Sequence, residues 1–453
     1  MTKKQMKLGV FINLPGHHVA SWRHPASGAS RAFDLEYLTE IAQTAERGKF
    51  DMIFFADVLG QKLSGNAQSS LKLDPVIIIS ALAAVTKNIG LTATLTTTYN
   101  DPYHVARKFA AIDHLSKGRA AWNVVTSANE GEALLFGKDK HLQHASRYER
   151  AEEFVEVVKQ LWLSIESEAL VIDKEQGRYL DVEKVHPVDH QGAWFKVQGS
   201  LDSSTTPQGH PVIVQAGSSE SGKELAAKTA EVIFTAWQTL EEAQTFYRDV
   251  KGRLAKYGRK PEDLKIMPGV FITVAKTEEE ALLKQQQLNS YILPEVGLSY
   301  LSSFTNIDLS GYDVEEPLPE FSSIEDDTNP RIRYNIIRDI AKRENLQSIR
   351  AIYERIAGAR GHREIVGTPE QIVDQLEEWF LNDGADGFNV MPPHFPEGFN
   401  DIVELVIPEL QRRGLFRTEY ESYTLRGNLG LSVPVVTTLE KALTGASTGG
   451  NVQ

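Results

Sequence analysis

Along most of the chain, short runs of apolar, β-branched and aromatic residues alternate with longer stretches whose apolar residues recur every three or four positions. The short runs fall at 7–14 (KLGVFINL), 51–57 (DMIFFAD), 89–98 (IGLTATLTTT) and 119–125 (RAAWNVV). Four more follow at 211–216 (PVIVQA), 231–236 (EVIFTA), 265–274 (KIMPGVFITV) and 385–391 (ADGFNVM). Most are nearly continuous rather than alternating, as expected of parallel strands covered on both faces. Helical spacing marks 33–48, 75–87, 102–117, 146–163, 219–230, 239–257, 369–382 and 399–413. The last-but-one starts on Thr368-Pro369, a cap residue followed by proline at the first helical position.

Eight strands alternating with eight helices predict an α/β protein, a (β/α)8 TIM barrel rather than an open doubly wound sheet. The pattern cannot show closure, so the open sheet stays an alternative. No G-x-G-x-x-G follows any strand, which weakens a dinucleotide-binding reading. Two stretches are too long for plain connections: 164–210 after strand four and 276–366 after strand seven. The second holds helical pieces at 277–291 and 331–357 and is expected to fold over the barrel as a lid. The expected organisation is one domain over 1–430, insertions included, with a flexible tail at 431–453.

Composition narrows the classes. Hydrophobic residues are 41% and charged residues 24%, enough for a large core. Lysine and arginine number 48 against 61 aspartate and glutamate, a net charge of −13 that repels phosphate backbones and anionic lipid. Neither nucleic acid nor membrane is an expected partner. There is no cysteine, which excludes disulfides, thiolate metal sites and a cysteine nucleophile. The basic N-terminus lacks the apolar core of a signal peptide, and no run approaches 18 apolar residues. A cytoplasmic location is expected.

In a barrel, chemistry sits where strands end. That rule selects Asp57, the threonines around Thr94 with Tyr99, then Asn123, Val125 and Thr126, and the turn Gly217-Ser218-Ser219. Taken singly, Asp57 also fits a turn former and the threonines fit plain strand propensity. The Gly217–Lys223 turn opens a helix whose free N–H groups favour an anion. Its spacing mimics a P-loop, but Glu224 stands where a magnesium-binding hydroxyl belongs, so a monophosphate suits it better than a triphosphate. A simple helix cap explains the serines equally well. His17, Arg23 and His24 lie in LPGHHVASWRHP after strand one and, with Tyr99, are candidates for a pocket wall. His144 and Tyr148 are four apart at a helix start. No metal site is identified among the twelve histidines.

These residues stand in stretches that together resemble the bacterial-luciferase-like flavin monooxygenases. The branch is that of the nitrilotriacetate, dibenzothiophene-sulfone, pristinamycin and long-chain-alkane enzymes. The matching stretches include SWRHP (21–25), KFDMIFFADVLG (49–60), DHLSKGRAAWNVVTS (113–127), RYERAEEF (147–154), VIVQAGSSESGKELAAKTAEVIF (212–234) and VIPELQRRGLFR (406–417). The resemblance implies a (β/α)8 barrel that takes reduced FMN (FMNH2) from a separate NAD(P)H:flavin reductase and uses O2 to oxygenate a small organic substrate. It places FMN contacts at Asp57, Thr94, His144, Tyr148, Ser218 and Ser219, with Asn123, Val125 and Thr126 beside the isoalloxazine. A homodimer or homotetramer is expected. The alkane enzymes carry histidine where this chain has Ala128 and cysteine where it has Leu14, which argues against a long-chain alkane; a sulfur- or nitrogen-containing compound is the expected substrate. Two alternatives remain, a deazaflavin-dependent oxidoreductase of the same fold and a non-catalytic flavin-binding protein.

Overall fold

A computed structural model describes residues 4–60, 71–127, 129–305, 307–319 and 329–434. Eight parallel strands follow the expected runs: β1 Lys7–Ile12, β2 Met52–Phe55, β3 Gly90–Thr96, β4 Ala120–Val125, β5 Val212–Gln215, β6 Val232–Thr235, β7 Lys265–Val274 and β8 Gly387–Met391. Each pairs with its sequence neighbour, and β8 lies between β7 and β1, with Gly269 opposite Asn389 and Lys7 opposite Gly387. Pairing of β6 with β7 from Val232 opposite Lys265 completes the circle. The sheet is closed, and the open alternative is gone.

Side chains alternate across this wall. On the outside, Trp122 of β4 packs against Phe109, Phe154 and Trp162, and each of the two indole N–H groups donates to a backbone carbonyl. Inside, Met52, Ala121, Val212, Val232 and Met267 fill the lower barrel together with Leu425, Leu429 and Leu431. The last three belong to a C-terminal plug around the helix Leu425–Leu429, which seals the end where strands begin. The packed chain thus runs past the expected boundary at 430, while 435–453 of the expected tail lie outside the described residues. Higher in the barrel Phe11, Phe54 and Phe234 meet one another at 5.1–5.8 Å between ring centroids.

The insertion after β4 carries two small hairpins, Leu170–Asp173 with Arg178–Leu180 and Val188–Gln191 with Lys196–Gly199. The insertion after β7 holds helices Glu278–Ser290, Pro294–Thr305, Asn329–Arg343 and Ile349–Ile356. The last three share an apolar cluster of their own with Val19 and Ala20 from the loop after β1, which sets the insertion over the end where strands finish. One expectation needs correcting: the stretch 276–366 is not only helix and loop. Arg363–Gly367 is a ninth strand, paired with the upper half of β7 from Val270 to Val274 where β6 has already ended. Its sequence, REIVG, is too polar and too short to be recognised as one. Among the described residues no helix is long and apolar enough to cross a membrane.

The plug is locked by a buried ion pair. Arg426 holds both carboxylate oxygens of Glu231, which also accepts from the Ile213 N–H at 3.0 Å. Burial works to raise the Glu231 carboxyl, but Arg426 outweighs it and holds the group at about 2. Arg426→Met should strand this carboxylate and cost about 3–5 kcal/mol, whereas the double variant with Glu231→Gln should recover much of the loss. Urea unfolding midpoints of the three proteins measure this, and a single variant as stable as wild type would refute it.

Candidate active site

At the ends of β2 to β5 the structure opens a cavity of about 1130 Å³, above the ~300–1,000 Å³ of most ligand pockets. Of the residues singled out from sequence, Asp57, Thr94, Tyr99, Val125, Thr126, Tyr148 and Gly217 line it. Asn123 stands directly behind: its Nδ2 donates to Thr94 Oγ1 at 2.8 Å, and that hydroxyl donates to the Phe55 carbonyl at 2.9 Å. The amide oxygen of Asn123 is buried without a partner. A buried acceptor left empty normally costs about 1–3 kcal/mol, so a ligand with an N–H or O–H has a place waiting. Gln215 Oε1 is likewise unpartnered while its amide nitrogen contacts Gly222 O.

Asp57 is half-buried at the end of β2. Burial raises its carboxyl above the usual range, while the Lys72 ammonium opposes the shift. Tyr99 stacks on Phe136 at 4.4 Å and its hydroxyl meets His141 Nδ1 at 2.5 Å, so it forms a fixed wall. His141, Asn129, Phe136, Glu132 and Ser303 are wall or supporting residues that strand-end reasoning did not reach. They lie on loops, a one-turn-scale helix and the second insertion. No strand-end rule points to such places.

The turn after β5 behaves as local sequence suggests. A Cβ on Gly217 would lie 3.0 Å from the Cα of Gly222, so turn and helix can approach this closely only with glycine at both positions. Ser219 Oγ caps the helix Glu220–Thr229 by accepting from Gly222 N at 3.1 Å. Ser218 is exposed at the cavity rim. His144 begins the helix His144–Trp162, is exposed, and touches the cavity only through its ring contact with Tyr148 at 4.8 Å.

Three pocket candidates are placed elsewhere. His17 is buried edge-on against Phe11, with Nε2 2.9 Å from the Phe11 carbonyl. Arg23 is exposed and donates to the Tyr291 carbonyl. His24 stacks on His394 at 4.2 Å beside a separate cavity of about 240 Å³. With Glu397 these two rings bring three possible metal ligands within 4.8 Å of one another. The loop after β1 turns these groups away because it is pinned to the β8 loop, His17 N to Pro392 O and His18 N to Pro393 O.

The chain matches the family model described as luciferase-like monooxygenase over residues 14–387. It belongs to that family. Among curated relatives, N-acetyl-S-(2-succino)cysteine monooxygenase of Bacillus subtilis (strain 168) is 51% identical, over 96% of this chain and 98% of the relative. Nitrilotriacetate monooxygenase component A of Aminobacter aminovorans is also 51% identical, over 95% and 97%. Among solved structures, DmoA from Hyphomicrobium sulfonivorans superposes with a TM-score of 0.86 at 35% identity, covering 98% of this chain and 96% of that one. As a luciferase-like enzyme this protein is a monooxygenase, and its cavity opens at the end of the barrel where strands finish.

The histidines around the mouth are held neutral. Burial lowers His18 and His362 to about 4 and His394 to about 3. Unfolding lets each bind a proton below pH 6.5 that the folded state refuses, so stability is full above 6.5 and falls as pH drops towards 4. Imidazole NMR signals of His18, His362 and His394 should not titrate between pH 8 and 5, while the unfolding midpoint decreases. A signal from any of the three that titrates near 6.5 would contradict the burial.

Proposed function

We propose that the protein is the oxygenase component of a two-component system, taking reduced FMN from a separate NAD(P)H:flavin reductase and using O2 to oxygenate a small sulfur- or nitrogen-containing compound. The observation that carries this reading is the unpartnered acceptor of Asn123, braced by Thr94 directly behind the wall of a cavity large enough for a flavin with a substrate beside it. Reduced flavin, when bound, supplies the electrons and the oxygen activation that this cysteine-free chain lacks.

The chain's own residues then have definite tasks. Asn123 and Thr94 receive the polar edge of the ring system, with Val125 and Thr126 beside it. Asp57 places a carboxyl, raised by burial, next to the same edge. The turn Gly217-Ser218-Ser219 offers N–H groups and the Ser218 hydroxyl to the phosphate, with Tyr148 and His144 on the adjoining helix. Ser303, from the insertion, closes part of the roof and limits the entry of water. The named activities of the two 51%-identical relatives support a small-molecule substrate.

The protein alone should be inert with NAD(P)H, and turnover should appear once a reductase, FMN and O2 are supplied, with oxygen-18 from O2 in the product. Label arriving from water would sink the monooxygenase step, and equal turnover with a reduced deazaflavin would shift the reading to that cofactor. Asp57→Ala should lower turnover at least tenfold in a folded protein. Ser218→Asp should weaken FMN binding by about tenfold, ~1.4 kcal/mol, through like-charge repulsion, yet leave riboflavin, which has no phosphate, unaffected. Equal losses for both flavins would move the phosphate away from this turn.

A further inference from the structure

The mouth of the barrel carries positive charge that the flavin reading leaves unused. After the helix Ile349–Ile356 the chain makes a tight turn, in which Arg360 N donates to Ile356 O at 3.1 Å and His362 N to Ala359 O at 2.8 Å. Arg360 sits there at φ 50°, a left-handed backbone that a non-glycine residue adopts only when its surroundings impose it. Those surroundings are visible. Val19 N donates to Ala357 O at 2.9 Å, tying the turn to the loop after β1. The His362 ring lies flat on Phe234 at 5.0 Å. It also sits directly over Gly269, where a Cβ would come within 2.4 Å of His362 Nδ1.

Held this firmly, the Arg360 side chain makes no hydrogen bond or ion pair with any described residue, and its Nε is buried without a partner. An arginine so placed is normally paired. The groups its charge bears on include His17, His18, His362, Tyr300 and Lys72, none of them a carboxylate. Lys72, whose ammonium feels that charge, lines a small cleft with Asn13, Leu14 and Ala56, and it too has no hydrogen bond or ion pair with a described residue. Burial lowers its ammonium and the Arg360 charge adds to that, while the Asp57 carboxylate opposes both. Across the barrel, the turn assigned to the phosphate follows β5 and is remote in strand order from β1. The FMN phosphate is therefore accounted for without these two cations.

We infer that Arg360, together with Lys72, forms a carboxylate receptor beside the flavin cavity and selects small substrates that carry a carboxylate, two being better than one. The guanidinium fork fits a carboxylate in two parallel hydrogen bonds, which a lysine cannot reproduce. The inference rests on the flavin reading for the place of oxygenation, but not for the binding itself.

Calorimetry with 2,2′-thiodiacetate, iminodiacetate and succinate, with and without FMN, tests it. Wild type should bind at least one of the three at millimolar concentration or tighter and should not bind the corresponding dimethyl ester. Arg360→Gln should weaken binding tenfold or more, Arg360→Lys should restore part of it, and Lys72→Gln should weaken it less. FMN affinity should stay unchanged in the Arg360 variants. No binding of any diacid, an ester bound as tightly as its acid, or an Arg360→Gln protein with wild-type affinity would each overturn the receptor. Diacid binding that depends on Arg360 in a protein indifferent to FMN would keep the receptor and remove the flavin reading.

Discussion

Three phenylalanines decide what this barrel can hold. A closed ring of eight strands has an interior that side chains must fill, and Phe11, Phe54 and Phe234 fill it halfway up by meeting largely edge to face. Each such contact is worth about 0.5–1.5 kcal/mol beyond the area it buries. Below them the interior is aliphatic and sealed. Above them the wall no longer needs apolar atoms, so hydroxyl and amide groups can face inwards at Thr94 and Asn123. The same rings support His17 and His362 from beneath. One aromatic layer thus serves as ceiling to the core and as floor to the site.

The barrel was legible because its strands are covered on both faces and read as unbroken apolar runs. Arg363–Gly367 escaped notice for the opposite reason: it is a strand at the upper edge, half-covered, with Glu364 and Arg363 turned to other charged or polar partners. The site divided along similar lines. Residues fixed by strand register, from Asp57 to Gly217, fell where strand ends predict. Residues fixed by how loops fold back did not. His17, Arg23 and His24 are in one loop with three separate fates, decided by hydrogen bonds to the β8 loop that local sequence cannot foretell. Arg360 was hidden in the long insertion, and only the three-dimensional path of the chain brings it to the mouth.

The charge distribution sharpens the picture. With a net charge of −13 the surface as a whole discourages anions. Surface arginines such as Arg253 and Arg413 are engaged by several carboxylates each. Against that background the Arg360 guanidinium, unengaged among the described residues, is a local reversal of sign. Selectivity for charge can then reside in one place, while the rest of the molecule stays repulsive towards polymeric anions.

The plug has a consequence for how the molecule is made. Lys7 Nζ bonds Asn428 O at 2.6 Å, Met6 N bonds Leu415 O, and Arg417 pairs with a buried Asp51. The first strand therefore waits for partners more than 400 residues downstream. Until those emerge from the ribosome, the lower barrel presents Met52, Val212 and Met267 as an open apolar hole. At ~5–20 residues per second, that exposure lasts for tens of seconds. A nascent chain of this kind carries exposed apolar surface for longer than its compact final form suggests, and truncation before Leu425 would make the exposure permanent.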